Sequence, residues 1–160
     1  MNTWRNTVVT STLKELQDKY APTKEADEEF HTAITRDGTY EDYSVSKRGV
    51  VINNKTGRQL TWSSRGKAIN MLYPNITFSR NNKATRYPVH KLVALTFYKE
   101  LDKPEWVDKV WDLLPDDIKF KFLVDVLVVD HIDGITWNPH IENLRFTTLG
   151  TNTIKGNPND

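Results

Sequence analysis

Strand-type and helix-type hydrophobic patterns divide the chain. Leu13 and Leu16 lie one helical turn apart, and Thr12 with Glu15 has capping-box spacing, so a helix is predicted near the start. The polar stretch from Ala21 to Glu29 contains Pro22 and reads as a connection. Tyr43, Val45 and Val50-Val51-Ile52 are strand formers. Asn53-Asn54-Lys55-Thr56-Gly57 is turn chemistry, and Gln59-Leu60-Thr61-Trp62 reads as the returning strand. A second hairpin is predicted from Ile76-Thr77-Phe78 and Thr85-Arg86-Tyr87 around Asn81-Asn82-Lys83. Val89 to Phe97 carries the apolar stripe of a helix. Pro104 to about Phe122 is acidic and helical, with a break at Pro115. Its Trp106, Val110, Trp111 and Leu114 fall at helical spacing and read as core. The apolar run Val124 to Val129 is expected to be a buried strand. A loop from Asp130 to Asn143, a short strand Leu144 to Thr147, and a last helical turn capped by Thr148 and running through Lys155 complete the pattern.

Composition narrows the class. Five Trp, six Tyr and six Phe are too many for a disordered chain of 160 residues. With no cysteine, disulfides and thiolate-bound zinc are excluded, and any metal must take oxygen or nitrogen ligands. No apolar run approaches the roughly 20 residues of a membrane span. The first residues, MNTWRNTVVTSTLKEL, have no apolar signal core, which predicts a cytoplasmic protein with no membrane partner.

The net charge of +1 is unremarkable, but its distribution is not. Residues 36–91 hold eleven basic and three acidic side chains, a local balance of +8, whereas residues 92–130 balance at −4. A basic block of this kind is the electrostatic footprint of a nucleic-acid binder, or equally a solvated sheet face. Lys47, Arg48, Lys55 and Arg58 flank or sit in the first predicted hairpin and are the candidate DNA contacts. The acidic stretch opens the separate possibility of a protein-interaction module.

The last third carries the chemistry. Asp130-His131 ends an apolar strand, Gly134 follows three residues after His131, then Asn138, Glu142-Asn143-Leu144, Thr148 and Asn152. Together with Val89-His90-Lys91-Leu92-Val93-Ala94, this spacing resembles the HNH endonucleases, in particular their phage and intron-encoded homing branch. The resemblance spans about residues 43 to 155. It implies an α+β fold: a basic β-hairpin-rich N-terminal part followed by a C-terminal ββα-metal (HNH) core, with an acidic helical insert. The corresponding segments are 1–35 (helical), 36–98 (basic β-rich, DNA-binding, with a linking helix), 99–123 (acidic insert) and 124–160 (nuclease core). It further implies that His131 is the general base, that Asp130 and Asn152 hold one divalent cation, and that Asn143 fixes the loop that orients His131. One carboxylate and one amide oxygen form a hard, incomplete ligand set suited to Mg²⁺ or Mn²⁺. His90 reads as structural or phosphate-contacting, and His31 and His140 carry no signal. The expected partner is double-stranded DNA, cut by a monomer of phage origin; the alternative is a catalytically inactive DNA-binding protein of the same fold. The insert has no counterpart in the resemblance.

Overall fold

The computed structural model describes residues 13–64 and 73–149. Residues 13–20 are helical (α1), as the leucine spacing predicts. Three antiparallel strands come next, in the order β1 (Phe30–Thr35), β2 (Gly38–Ser46) and β3 (Val51–Asn53). A two-stranded hairpin joins β4 (Asn75–Arg80) to β5 (Lys83–Pro88). Helix α2 (Val89–Thr96) leads on to α3 (Glu105–Trp111) and α4 (Asp116–Asp125). The ribbon of β6 (Val128–His131) and β7 (Leu144–Thr147) is the final pair of strands among the described residues.

Strand pairing starts earlier than the pattern suggested, because β1 lies inside the segment 1–35 read as helical. The β1–β2 turn is built on Thr35, whose hydroxyl accepts the Asp37 N–H and donates to the Gly38 carbonyl, while Gly38 takes φ +100°. The predicted turn at Asn53–Gly57 forms, but the chain beyond it makes isolated bridges, Gln59 to Ile52 and Ser63 to Asn75, rather than a strand. Trp62 leaves the sheet instead and drops into the core, where its indole N–H donates to the Gly49 carbonyl at 2.8 Å. The second hairpin matches its expectation. Arg80 pairs with Lys83, so Asn81 and Asn82 form a two-residue loop, both with positive φ, as the twist of a tight hairpin requires.

Helix α2 is the centre of the molecule. Seven of its eight residues are buried, and only Lys91 reaches solvent. It packs against β1, β2, β5, β6 and β7. An apolar-all-round helix has no stable position except inside. Two corrections concern the insert and the apolar run after it. The inward residue of α3 is Val107, fully buried, whereas Trp106 and Val110 are 53% and 42% exposed. Trp111 is half covered, with the ammonium groups of Lys103 and Lys119 at 4.7 and 5.8 Å from its ring. The run Val124–Val129 is not one strand. Helix α4 continues to Asp125, the N–H groups of Val126 and Leu127 both close on the Phe122 carbonyl, and pairing begins only at Val128.

Gly49 is a tight junction between the first sheet and this core. At φ +83°, an added Cβ would lie 2.8 Å from Trp62 Cζ2 and 3.1 Å from Val89 Cγ1. Gly49→Ala should therefore destabilise by roughly 2–5 kcal/mol, combining overpacking with a left-handed backbone cost. Gly57→Ala, at φ +73° with nothing within 4 Å of the new methyl, should show only the smaller backbone part. Urea titration of the two variants checks this; equal destabilisation would mean that crowding against Trp62 contributes nothing.

Candidate active site and nucleic-acid interface

Strand β6 carries Asp130 and His131 to the end of the ribbon. Asp130 stands directly across from Arg145, and His131 across from Leu144. Both β6 side chains are buried, at 5% and 8% exposure. The Arg145 Nε–H donates to Asp130 Oδ2 at 2.9 Å, so the buried carboxylate has a cation against it. Removing Arg145 would take that cation away from a buried carboxylate, which costs more than the pair itself is worth. His131 packs against α2, its ring centroid 4.7 Å from that of His90.

The loop after His131 is held by one residue. Asn143 lies in the 3-10 turn Ile141–Asn143 just ahead of β7. Its Oδ1 accepts the Asp133 N–H, and its Nδ2 donates to Asp133 Oδ1 and to the Asn138 carbonyl, each at 2.9 Å. Its backbone carbonyl accepts the Ile132 N–H at 2.7 Å. Asp133 completes the knot by accepting from Asn138 Nδ2 and the Ile135 N–H, while Gly134 turns the chain at φ +77°. Burial acts to raise the Asp133 pKa, but the hydrogen bonds from Asn138, Ile135 and Asn143, and the charge of His131, outweigh it and hold the carboxyl below its ordinary 3.8. Asp133 and Asn138 are thus part of the clamp. Their Asx-turn chemistry was visible in the sequence, but their shared partner Asn143 was not.

The structure brings Asp130, His131 and Asn143 into one unit; Asn152 lies outside the described residues. Among the described residues no three His, Asp or Glu side chains come together as a metal site. Among the described residues Asp130 supplies a buried hard-oxygen donor there, of the kind that suits a small divalent cation keeping most of its own waters.

The basic residues divide into two groups. Lys47 Nζ lies 2.7 Å from Glu100 and 4.0 Å from Glu29; its hydrogen bond to Glu100, with both carboxylate charges, raises its pKa against the opposing effect of burial. Arg48 bridges Glu28 at 2.9 Å and Glu25 at 3.3 Å, and also reaches the Thr23 carbonyl. Lys55 is 3.3 Å from Asp42. Three of the four candidate DNA contacts are thus already neutralised within the chain; Arg58 is exposed. A different set was missed. Arg36, Arg80, Lys83 and Arg86, with Asp37 and Tyr40, line a concavity of about 750 Å³ between the β1–β2 turn and the β4–β5 hairpin. Arg80 is preset there: its guanidinium lies 3.8 Å from the Tyr40 ring centroid and donates to the Thr39 carbonyl. Asp37 Oδ2 accepts from the Tyr87 hydroxyl at 2.6 Å and lies 3.9 Å from the Arg36 Nε. The sequence showed Arg80, Lys83 and Arg86 within the basic block 36–91, but nothing local tied Arg36 to them.

Neither a protein-family model nor a curated protein matches the chain. A solved structure does, described as "DNA binding and cleavage by the HNH homing endonuclease I-HmuI". It is 25% identical, with a TM-score of 0.53, and the match covers 79% of this chain and 56% of that one. The mixed α+β fold with small antiparallel sheets is therefore HNH-like. This chain spans little more than half the length of that endonuclease.

Asn143→Ala removes three side-chain hydrogen bonds at once and should loosen the loop by roughly 1–3 kcal/mol. Amide exchange at Asp133 and Ile135 reads the effect directly. Because the Asp133 pKa is lowered on folding, its stabilisation is present above the ordinary carboxylate value and is lost as pH falls through the lowered one. Protection should accordingly stay level down to about pH 4 and drop below it, and Asp133→Asn should abolish that drop. An acid-insensitive loop in the parent would contradict the assignment.

Proposed function

We propose that this chain is a DNA endonuclease of the HNH type, which hydrolyses a phosphodiester bond with the help of one divalent cation. The observation that carries this reading is the placement of buried Asp130 and His131 at the end of a two-stranded ribbon, over a loop clamped by Asn143, in a fold like that of a DNA-cleaving homing endonuclease.

The residues divide the work by their chemistry. His131 acts as general base: it takes a proton from water as the water oxygen attacks phosphorus and the bond from phosphorus to the 3′ oxygen breaks. A neutral imidazole offers a ring-nitrogen lone pair that can accept that proton. Asn143 holds the loop whose backbone returns from His131, keeping the base aimed. Asp130 and Asn152 would hold Mg²⁺ or Mn²⁺, and the Arg145 Nε–H holds the Asp130 carboxylate in place. The cation, when bound, stabilises negative charge on the phosphate and the leaving oxygen.

The duplex is held chiefly by Arg36, Arg80, Lys83 and Arg86. Counterion release requires cations that are not already compensated by the protein's own carboxylates. On that criterion Arg80, Lys83 and Arg86, with Arg58, outrank Lys47, Arg48 and Lys55, whose partners are intramolecular; Arg36, whose Nε stands 3.9 Å from Asp37, joins them through its place in the concavity. A basic two-stranded ribbon is of a size to enter a DNA groove.

Two experiments test this. Supercoiled plasmid incubated with Mg²⁺ or Mn²⁺ should be cut, EDTA should stop the cutting, and His131→Ala should slow it by about 10²–10⁴-fold with DNA affinity kept. Binding without cutting by the parent would instead make the chain a DNA-binding protein of the same fold. In the second experiment, replacing Arg36, Arg80, Lys83 and Arg86 by Gln should flatten the log–log salt dependence of binding by roughly one unit for each phosphate no longer neutralised. The metal requirement should not change. An unaltered slope would remove the hairpin from the interface.

A further inference from the structure

Hydrolysis by His131 with a cation at Asp130 makes no use of His90, the most deeply buried histidine beside the candidate base. His90 is the second residue of α2 and is 5% exposed. On one side its ring meets that of His131, centroids 4.7 Å apart and planes tilted by 58°. On the other, Tyr73 lies edge-on at 5.2 Å. Its Nδ1 is buried with no hydrogen-bond partner among the described residues. Burial, with His131 and Lys91 adding to it, pushes its pKa down to about 3, so the ring is neutral under working conditions.

Such a nitrogen is expensive. An unsatisfied buried polar atom costs on the order of 1–3 kcal/mol, and a phenyl ring would fill much the same space without that cost. The neighbouring inward positions of α2 show the ordinary solution. Val89, Leu92, Val93, Ala94 and Leu95 are apolar, and the one other buried polar group, the Thr96 hydroxyl, accepts the Ile34 N–H. Within α2, only His90 retains a buried polar atom with no bond made, and it is the α2 side chain in ring contact with His131.

Resting on the endonuclease reading, we propose that His90 is a positioning residue for His131: its imidazole forms the wall against which the His131 ring lies, and its Nδ1 takes up a hydrogen bond with that ring when the loaded site turns it toward its water. A general base works at full rate only when a third group fixes its orientation and tautomer. His90 neither donates to the substrate nor receives the proton, which passes from water to His131.

The test compares His90→Phe with His90→Asn at a temperature where both variants and the parent are folded. Phe keeps the wall and removes the orphaned nitrogen; Asn places an amide near the former Nδ1 and leaves a gap. Phe should melt at or above the parental temperature, yet cut roughly tenfold or more slowly at saturating DNA, with the DNA concentration for half-maximal rate unchanged. Asn should melt lower but cut faster than Phe. Stability and rate therefore run in opposite orders, which a purely structural histidine does not produce. Phe cutting at the parental rate, or rates that simply follow stability, would overturn the inference while leaving the endonuclease reading intact. A parent that leaves DNA uncut would remove both.

Discussion

Enclosure of helix α2 is the constraint on which the rest of the molecule depends. A helix of eight residues is far too short to be stable alone, and this one has no side-chain cap at either end. It exists because β1 and β2 cover one side, β5 leads into it, and the β6–β7 ribbon covers another. The dependence is mutual. Two- and three-stranded sheets need an apolar surface to lie on, and α2 offers one in every direction except at Lys91. Basic hairpin, first sheet and β6–β7 ribbon are thus held at fixed mutual positions by one short element that none of them could replace.

The same economy governs the charges. On the first sheet, Lys47 and Arg48 are consumed in fastening the chain between α1 and β1 and the 3-10 turn Tyr98–Glu100 to the β2–β3 turn. On the second hairpin the cations face outward around a concavity. Two sets of similar composition are placed differently: one is tied internally, and the other borders an open concavity. Among the described residues Arg80, Lys83 and Arg86 make no ion pair with a carboxylate, which is what separates them from Lys47 and Arg48.

That distinction explains how much was legible in the sequence. Asn81-Asn82 announced a tight hairpin because positive φ is a local property. The order Asp130-His131, loop, Asn143, strand was legible for the same reason: each residue's place depends on near neighbours in the chain. The β1–β2 turn was equally local, at Asp37-Gly38, and could have been read from that pair. The partners of Lys47 and Arg48 could not. Glu100 is 53 residues beyond Lys47, and Glu28 is 20 before Arg48, so only the fold reveals that those cations are occupied. The insert misled for another reason. Its spacing gave the helix but not its rotation, and a single buried turn at Val107 leaves Trp106 facing out.

The β6–β7 ribbon and its clamped loop are tied to distant parts of the chain. The Ile141 N–H, at the start of the Asn143 turn, donates to the Lys47 carbonyl, and the Phe146 N–H of β7 donates to the Asp102 carbonyl ahead of α3. Trp137, in the site loop, packs beside Trp62. These ties span 94, 44 and 75 positions respectively. Closing such long loops is slow, and the contacts that reward closure arrive together. The ribbon and its loop thus draw part of their hydrogen bonding and packing from segments far away in the chain. Their order is inherited from strands made much earlier, so partly synthesised chains carry the basic hairpin before they carry the Asp130–His131 pair.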